Sequence, residues 1–232
     1  MQQRKDGEET RQRILKVASV LFAEKGYRNT THEQISRTAK VNAAAINYHF
    51  RKKETLYVEA WRMSFNNLLK KHPSDGGVSP DATAAERLHG RILSIMRRMS
   101  DPENKVFDII NREMSNPTGI LTEVIHESII PIRAGIESIV REMLGEKATK
   151  QDIMLCQMSI MTQSFHPIMA RRRKTLQIKE PNEPSVHDLD IEQIADHVTR
   201  FSIDGISGVR KRLENKKSRK DAEAQRHRVL EF

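Results

Sequence analysis

Residues Thr30 to Lys53 read TTHEQISRTAKVNAAAINYHFRKK, and this stretch decides the fold. Thr31 stands three residues before Gln34, a capping-box spacing in which a hydroxyl and a side-chain amide satisfy the free amides of a helix start. A short helix is therefore expected from about His32, with Ile35 and Ala39 on its apolar side. Lys40, Val41 and Asn42 form a short connection, and Asn42 suits the cap of a second helix over about Ala43 to His49. The pair reads as a helix-turn-helix, whose first helix crosses the DNA backbone while the second lies in the major groove. The second must be slim at its start and polar where bases are reached. Ala43, Ala44, Ala45, Asn47, Tyr48 and His49 meet that demand.

Upstream, Ile14, Val17, Ala18, Leu21 and Phe22 recur at helical spacing, which predicts a helix over Thr10 to Lys25, ended by Gly26, that covers the pair from behind. Residues 1 to 9 are polar and expected to fray. Tyr27 and Phe50 are expected to complete a small core. Downstream, Glu54 to His72 reads as a long helix with apolar residues on more than one face, hence buried on two sides. The stretch PSDGGVSPD from Pro73 to Asp81 reads as a linker.

Five further features follow it. Thr83 with Glu86 opens a helix carrying Leu88, Ile92, Ile95, Met96 and Met99, and Asp101-Pro102 is expected to cap the next, which holds Val106, Phe107, Ile109, Ile110 and Met114. Helices from about Gly119 to Leu144, from Thr149 to Lys174 and from Asp190 to about residue 213 complete the set, the first two interrupted by Pro131 and Pro167. The expected fold is all-α, with no strand-like alternation. Its segments are a helix-turn-helix DNA-binding domain at 1–55, a connecting helix at 56–72, a linker at 73–82, a helical domain at 83–213, to which the family resemblance given below assigns ligand binding and dimerisation, and a charged tail at 214–232, disordered or a solvated helical extension.

Net charge is +9 and pI about 9.7, which points to an anionic partner. Residues 1 to 72 hold 15 Lys/Arg against 7 Asp/Glu, whereas residues 73 to 213 hold 19 against 20. The excess sits at the helix-turn-helix end. One cysteine, Cys156, excludes an intrachain disulfide and reads as a core thiol. The N-terminus lacks the apolar core of a signal peptide, and no apolar run is long enough to span a bilayer, so a soluble cytoplasmic protein with no membrane partner is expected.

Thr30-Thr31, Ile35, Ala39, Val41, Asn47-Tyr48-His49-Phe50, Lys53-Glu54 and Leu56 resemble the signature of TetR-type (TetR/AcrR) bacterial transcriptional regulators over roughly residues 10 to 60. Two positions depart from it: the usual turn glycine is Lys40, and the first aromatic of the usual Tyr-Tyr-His-Phe is Asn47. The fold carries over, but the identity of the bases read does not. The phrase Arg112-Glu113-Met114-Ser115-Asn116-Pro117-Thr118 and the segment around Phe201 are similar to the TetR subgroup with a CerR-like C-terminal domain.

The resemblance implies a homodimeric regulator, expected to be a repressor released from a palindromic operator in double-stranded DNA by a small-molecule effector. The alternative is an architectural or accessory DNA-binding protein whose helical domain binds another protein. Thr31, Asn42, Ala43, Ala44, Ala45, Asn47, Tyr48, His49 and Lys53 are the expected DNA contacts. Of these Tyr48, His49 and Lys53, with Thr31, are assigned to phosphates, the alanines to thymine methyl groups and Asn47 to adenine. The effector site is expected among Met96, Phe107, Ile110, Arg112, Met114, His126, Phe165 and His166. The dimer interface is expected at Ile153, Gln157, Ile160, Met161, Val198, Phe201, Ser202, Gly205 and Val209. No nucleophile, base or metal constellation stands out, so neither catalysis, a cofactor nor a metal is expected; His187, Asp188 and Asp190 flank a helix start and read as capping and solvated groups.

Overall fold

The computed structural model describes the backbone of residues 2–172 and 188–230 and the side chains of residues 6–171 and 188–215. Among these residues the chain is all-α, with nine helices and no strand. They are α1 (Gln2–Lys25), α2 (His32–Ala39), α3 (Ala43–Phe50), α4 (Lys53–Lys71), α5 (Ala84–Ser100), α6 (Lys105–Ser115), α7 (Thr122–Leu144), α8 (Lys150–Arg172) and α9 (Ile191–Leu230). The loop TLQIKEPNEPSVH, with His187, lies outside the described residues, as do Arg173 and Lys174 of the basic run and the tail side chains beyond 215. No helix among the described residues is long and apolar enough to cross a membrane.

The chain divides into two compact units, Met1–Pro73 with Ser100–Ile130, and Ser74–Met99 with Pro131–Phe232. In the first, α1 packs against α2, α3, α4 and α6. Of the expected stripe it buries Ile14, Ala18, Leu21 and Phe22, with Val17 half-buried, and it adds Leu15, against a core that includes Ile35, Ile46, Phe50, Leu56, Tyr57 and Trp61. Phe22 and Tyr57 meet with ring centroids 4.6 Å apart. Each such side chain contributes roughly 1.5–3 kcal/mol by leaving water. The helix α1 starts at Gln2 rather than near Thr10, and within its N-terminal half Gln12 Nε2 donates to Glu8 Oε1 at 2.7 Å.

By contacts, residues 100–130 group with this unit. Val106 and Ile109 of α6 are buried, and Arg112 donates to the carbonyls of Ala23 and Glu24 at the end of α1. Tyr57 OH donates to Glu113 Oε1 at 2.8 Å, and the Glu113 carboxylate also accepts from the Thr118 amide and hydroxyl. The cap of α6 is Asn104, whose side chain accepts from the Phe107 amide at 3.0 Å, and not Asp101. The Asp101 carboxylate, 2% exposed, accepts from Lys71 Nζ at 2.8 Å and from the Glu103 amide, and lies 3.0 Å from His72 Nε2. Burial pushes its pKa up, but these bonds outweigh burial and hold it below the ordinary value.

The second unit packs α5, the later part of α7, α8 and α9 around Leu88, Ile92, Met96, Ile136, Val140, Ile153, Ile160, Ala195 and Val198. The stretch read as a linker is a folded turn seated on α5. A Cβ on Gly76, at φ +71°, would lie 2.3 Å from the Gly90 carbonyl oxygen, and one on buried Gly90 would lie 2.5 Å from Val78 Cγ2 and 2.7 Å from the Asp75 oxygen. Glycine serves close approach of two backbones here. Helix α9 continues past Glu214 to Leu230, which makes the charged tail a helical extension in backbone.

The variant Gly90→Ala forces that contact apart, and overpacking of this kind costs about 1–3 kcal/mol. Thermal unfolding of the full chain is expected to shift down accordingly; an unchanged midpoint would show that the turn yields freely.

Candidate nucleic-acid interface

The helices α2 and α3 have eight residues each, too few to persist alone, and their ends are closely specified. The capping box at α2 forms: Thr31 Oγ1 accepts from the Gln34 amide at 3.2 Å and Gln34 Oε1 accepts from the Thr31 amide at 3.3 Å. At α3, Asn42 Oδ1 accepts from the Ala44 amide at 3.0 Å. Ile35, Ala39, Ile46 and Phe50 are buried, which turns the remaining positions outward. Just upstream, the Thr30 hydroxyl, fully buried, donates to the Gly26 carbonyl at 2.8 Å and fixes the turn that ends α1.

The outward face of α3 presents Ala43, Ala44, Asn47 and Tyr48, the last 81% exposed, with Ala45 and His49 half-buried beside them. Tyr48 and His49 meet edge to face at 5.0 Å. Thr31 and Asn42 are exposed, and after capping each retains a hydrogen to donate, from hydroxyl or amide NH2. Eight of the nine expected DNA-contact residues thus fall on α3 or at the starts of α2 and α3, and the ninth, Lys53, opens α4 and carries a second role that its spacing did not reveal. Its ammonium donates to the Tyr27 and Thr30 carbonyls, both at 3.0 Å, and lies 4.1 Å from the Tyr27 ring centroid. It ties the start of α4 to the turn after α1, with one donor left over. The Tyr27 hydroxyl donates to Glu54 at 2.7 Å, and its pKa is pushed up to about 12 by burial and by that bond.

Two backbone positions at this face are strained. Lys40 ends α2 at φ 53°, ψ 49°, with the Lys40 amide bonded to the Arg37 carbonyl and the Val41 amide to the Ser36 carbonyl, a Schellman arrangement whose left-handed residue is normally glycine. Arg51 ends α3 at φ 56°, ψ −52°, the centre of a γ-turn of the rare positive-φ kind in which the Lys52 amide bonds the Phe50 carbonyl. A side chain in the left-handed region costs on the order of 1–2 kcal/mol. His32, at the first position of α2, has its Nε2 buried without a partner among the described residues, and burial, then the Lys53 charge, lower its pKa.

The expected effector residues are spread over both units. Met96 is fully buried and Phe165 half-buried in the core of the second, where exposed His166 lines a cleft of about 710 Å³ with Gln193 and His197. Phe107 and Ile110 are half-buried in the first unit, His126 is exposed, and Met114 is 76% exposed. Arg112 is occupied by the α1 carbonyls rather than turned to a pocket. The first unit has its own cleft, about 500 Å³, between α1, α4 and the start of α6, lined by Lys16, Asn67, Lys71 and Lys105, and none of the expected residues contributes to it.

The residues expected at the dimer interface divide by burial. Ile153, Gln157, Ile160, Val198 and Ser202 are buried within their own chain, Gln157 Nε2 donating to the Arg133 carbonyl at 2.8 Å. Met161 and Val209 are half-buried, while Phe201, at 58%, and Gly205 are exposed. The apolar residues of α8 that face out are Met154, Leu155 and Met158, and Leu155 joins Phe201 and Val209 in a groove of about 470 Å³ between α8 and α9. Two apolar faces on one helix do not say which turns inward.

The family model described as the C-terminal domain of the HTH-type transcriptional dual regulator CecR matches residues 84–206, just over half of the chain, and that of the tetR family of bacterial regulatory proteins matches residues 14–60. The match corrects the subgroup's label from CerR to CecR. The chain is 38% identical over 65 residues to the HTH-type transcriptional regulator AcrR of Shigella flexneri, spanning 28% of this chain and 30% of that one. It is 32% identical over 73 residues to IcaR, the biofilm operon icaADBC HTH-type negative transcriptional regulator of Staphylococcus aureus (strain Newman), spanning 30% and 39%. The matches thus cover only about a third of those relatives' length. Among solved structures, AibR in complex with isovaleryl coenzyme A and operator DNA superposes with a TM-score of 0.58 at 18% identity, over 82% of this chain and 96% of that one, a likeness of fold.

Two changes probe how the interface is held. Lys53→Ala removes two charge-assisted bonds, and a loss of about 1.5–3 kcal/mol in urea unfolding is expected; wild-type stability would leave the tie without weight. Because the fold lowers the His32 pKa below its ordinary 6.5, the unfolded chain binds the proton first, and stability falls as pH drops through about that value. His32→Gln is expected to flatten this part of the stability profile between pH 7.5 and 5.5. A profile that superposes on wild type would remove His32 as its source.

Proposed function

This chain belongs to the TetR family of bacterial regulatory proteins, in the group with a CecR-type C-terminal domain, and from that premise we propose that it acts as a homodimeric repressor released from a palindromic operator by a small molecule. Family membership makes it a DNA-binding transcriptional regulator and not an enzyme. The observation that carries the proposal is the outward face of α3, where Asn47 and Tyr48 project beside small alanines from a helix anchored by Ile46 and Phe50. Alanines allow close approach and methyl contact. Asn47 has the donor and acceptor that pair with adenine. Thr31, Tyr48 and His49 are proposed for phosphates.

The exposed apolar face of α8 and α9, with Met154, Leu155, Met158 and Phe201, supports a second copy as its occupant, because isologous packing of two such helix pairs forms a four-helix bundle. Two-fold symmetry then sets half-sites about 34–36 Å apart, or a multiple. The repressor sign follows the word negative in the name of IcaR, and the small-molecule effector follows the AibR complex. Effector binding is proposed within residues 84–206, where His166, Gln193 and His197 line a cleft beside the core that holds Met96 and Phe165. Release requires unequal affinity for the two states; about 1–3 kcal/mol of coupling gives a 5- to 150-fold change in DNA affinity. The proposed place of action is the cytoplasm.

Selection of duplexes from a random library by the full chain is expected to yield an inverted repeat. On that duplex Asn47→Ala should cost about 1–3 kcal/mol and relax one position in each half-site. Phe201→Asp should sediment as a monomer and bind weakly. Dimers retained by that variant would move the interface, and selection without any consensus would defeat the operator.

A further inference from the structure

We infer that Lys40 and Arg51 form a bracket of two phosphate contacts, one at each end of α3, that grips the DNA backbone on both walls of the groove the helix enters. This rests on the DNA-binding reading above and adds two residues that neither spacing nor family motif assigned to DNA. Among the described residues these are the two non-glycine positions with positive φ, and both are exposed cations. One precedes α3 and the other follows it. The backbone at both would be served best by glycine, so a side chain held there against strain calls for a use.

No hydrogen bond or ion pair to a described residue occupies either side chain. Some nearby cations are engaged, Lys53 with the Tyr27 and Thr30 carbonyls, Arg11 with Glu59, and Arg28 with Asn116, while Arg37 and Lys52 are exposed as Lys40 and Arg51 are but lack their positive φ. The scale of the two positions also suits DNA. Eight helical residues rise roughly 12 Å, and the major groove is about 12 Å wide. Lys40, three residues before α3 begins, and Arg51, directly after it, flank a helix whose length is on the scale of the groove, with Asn47 and Tyr48 between them in the chain. The competing use is local: each cation sits at a helix C-terminus, where positive charge offsets the macrodipole. That use involves no DNA.

The test measures binding of the full chain to a random-sequence duplex by fluorescence anisotropy across a KCl series, so that no operator is needed. Removing one phosphate contact makes the slope of log K against log salt shallower by ~0.9. Lys40→Gly and Arg51→Gly are each expected to flatten it by about that amount per bound chain, and the double variant by about twice as much, while the thermal midpoint holds or rises because strain is relieved. Lys40→Arg and Arg51→Lys should keep the wild-type slope. Unchanged slopes in the glycine variants, or a change at only one of the two positions, would overturn the bracket. A lowered midpoint with an unchanged slope would assign both cations to the helix ends. Should the wild-type chain bind no duplex at all, the DNA-binding reading itself fails, whereas binding with equal slopes removes the bracket alone.

Discussion

An eight-residue helix cannot hold itself in water, and α3 therefore depends on Ile46 and Phe50 being buried beneath it. Their removal from water, with that of Ile35 and Ala39 on α2, fixes which face of each short helix remains for a partner. The outward face of α3 proposed to read DNA is set by this one-sided burial. The layer behind it is α1, which touches α2, α3, α4 and α6, so the same helix that orients the reading face also anchors α6 through the Ala23 and Glu24 carbonyls. Rigid support for an exposed polar face is what recognition needs, because base discrimination rests on a few hydrogen bonds of fixed direction.

Much of this was legible in the sequence because it depends on local chemistry. The pairs Thr31 with Gln34, Thr83 with Glu86, Thr149 with Asp152 and Asp190 with Gln193 all close as hydrogen-bonded caps, and their spacing alone signals them. The stripes of α1 and α5 bury as their periodicity requires. What was not legible depends on contacts between residues far apart in the chain. Asp101 reads as a cap because Asp-Pro often is one, but Lys71 and His72 compete for its carboxylate, and neither is visible from the dipeptide. Lys53 matches a family motif, and its tie to the Tyr27 and Thr30 carbonyls is a fact of tertiary approach. Gly76 reads as part of a linker, yet with Gly90 it marks the place where two backbone segments touch.

The helices beyond residue 99 show the same limit on a larger scale. A sequence of amphipathic helices after a glycine- and proline-bearing stretch suggests one continuous domain, and a single family model spans residues 84–206, while contacts gather residues 100–130 with the helix-turn-helix end, a grouping that periodicity does not reveal. The phrase Arg112–Thr118, which carries a family resemblance, has a physical content: Arg112 and Glu113 bind α6 to α1 and α4. On α8, two apolar faces are visible in the sequence, and only packing decides that Ile153, Gln157 and Ile160 turn inward while Met154, Leu155 and Met158 turn out.

The central claim is that two copies of this chain read DNA through the outer face of α3. Hydroxyl-radical footprinting of the full chain on a selected duplex tests it most directly. The account predicts two protected patches related by a two-fold, with centres one helical turn of DNA or a multiple apart, about 34–36 Å for one turn. A single unpaired patch, or uniform protection along the duplex, would contradict it.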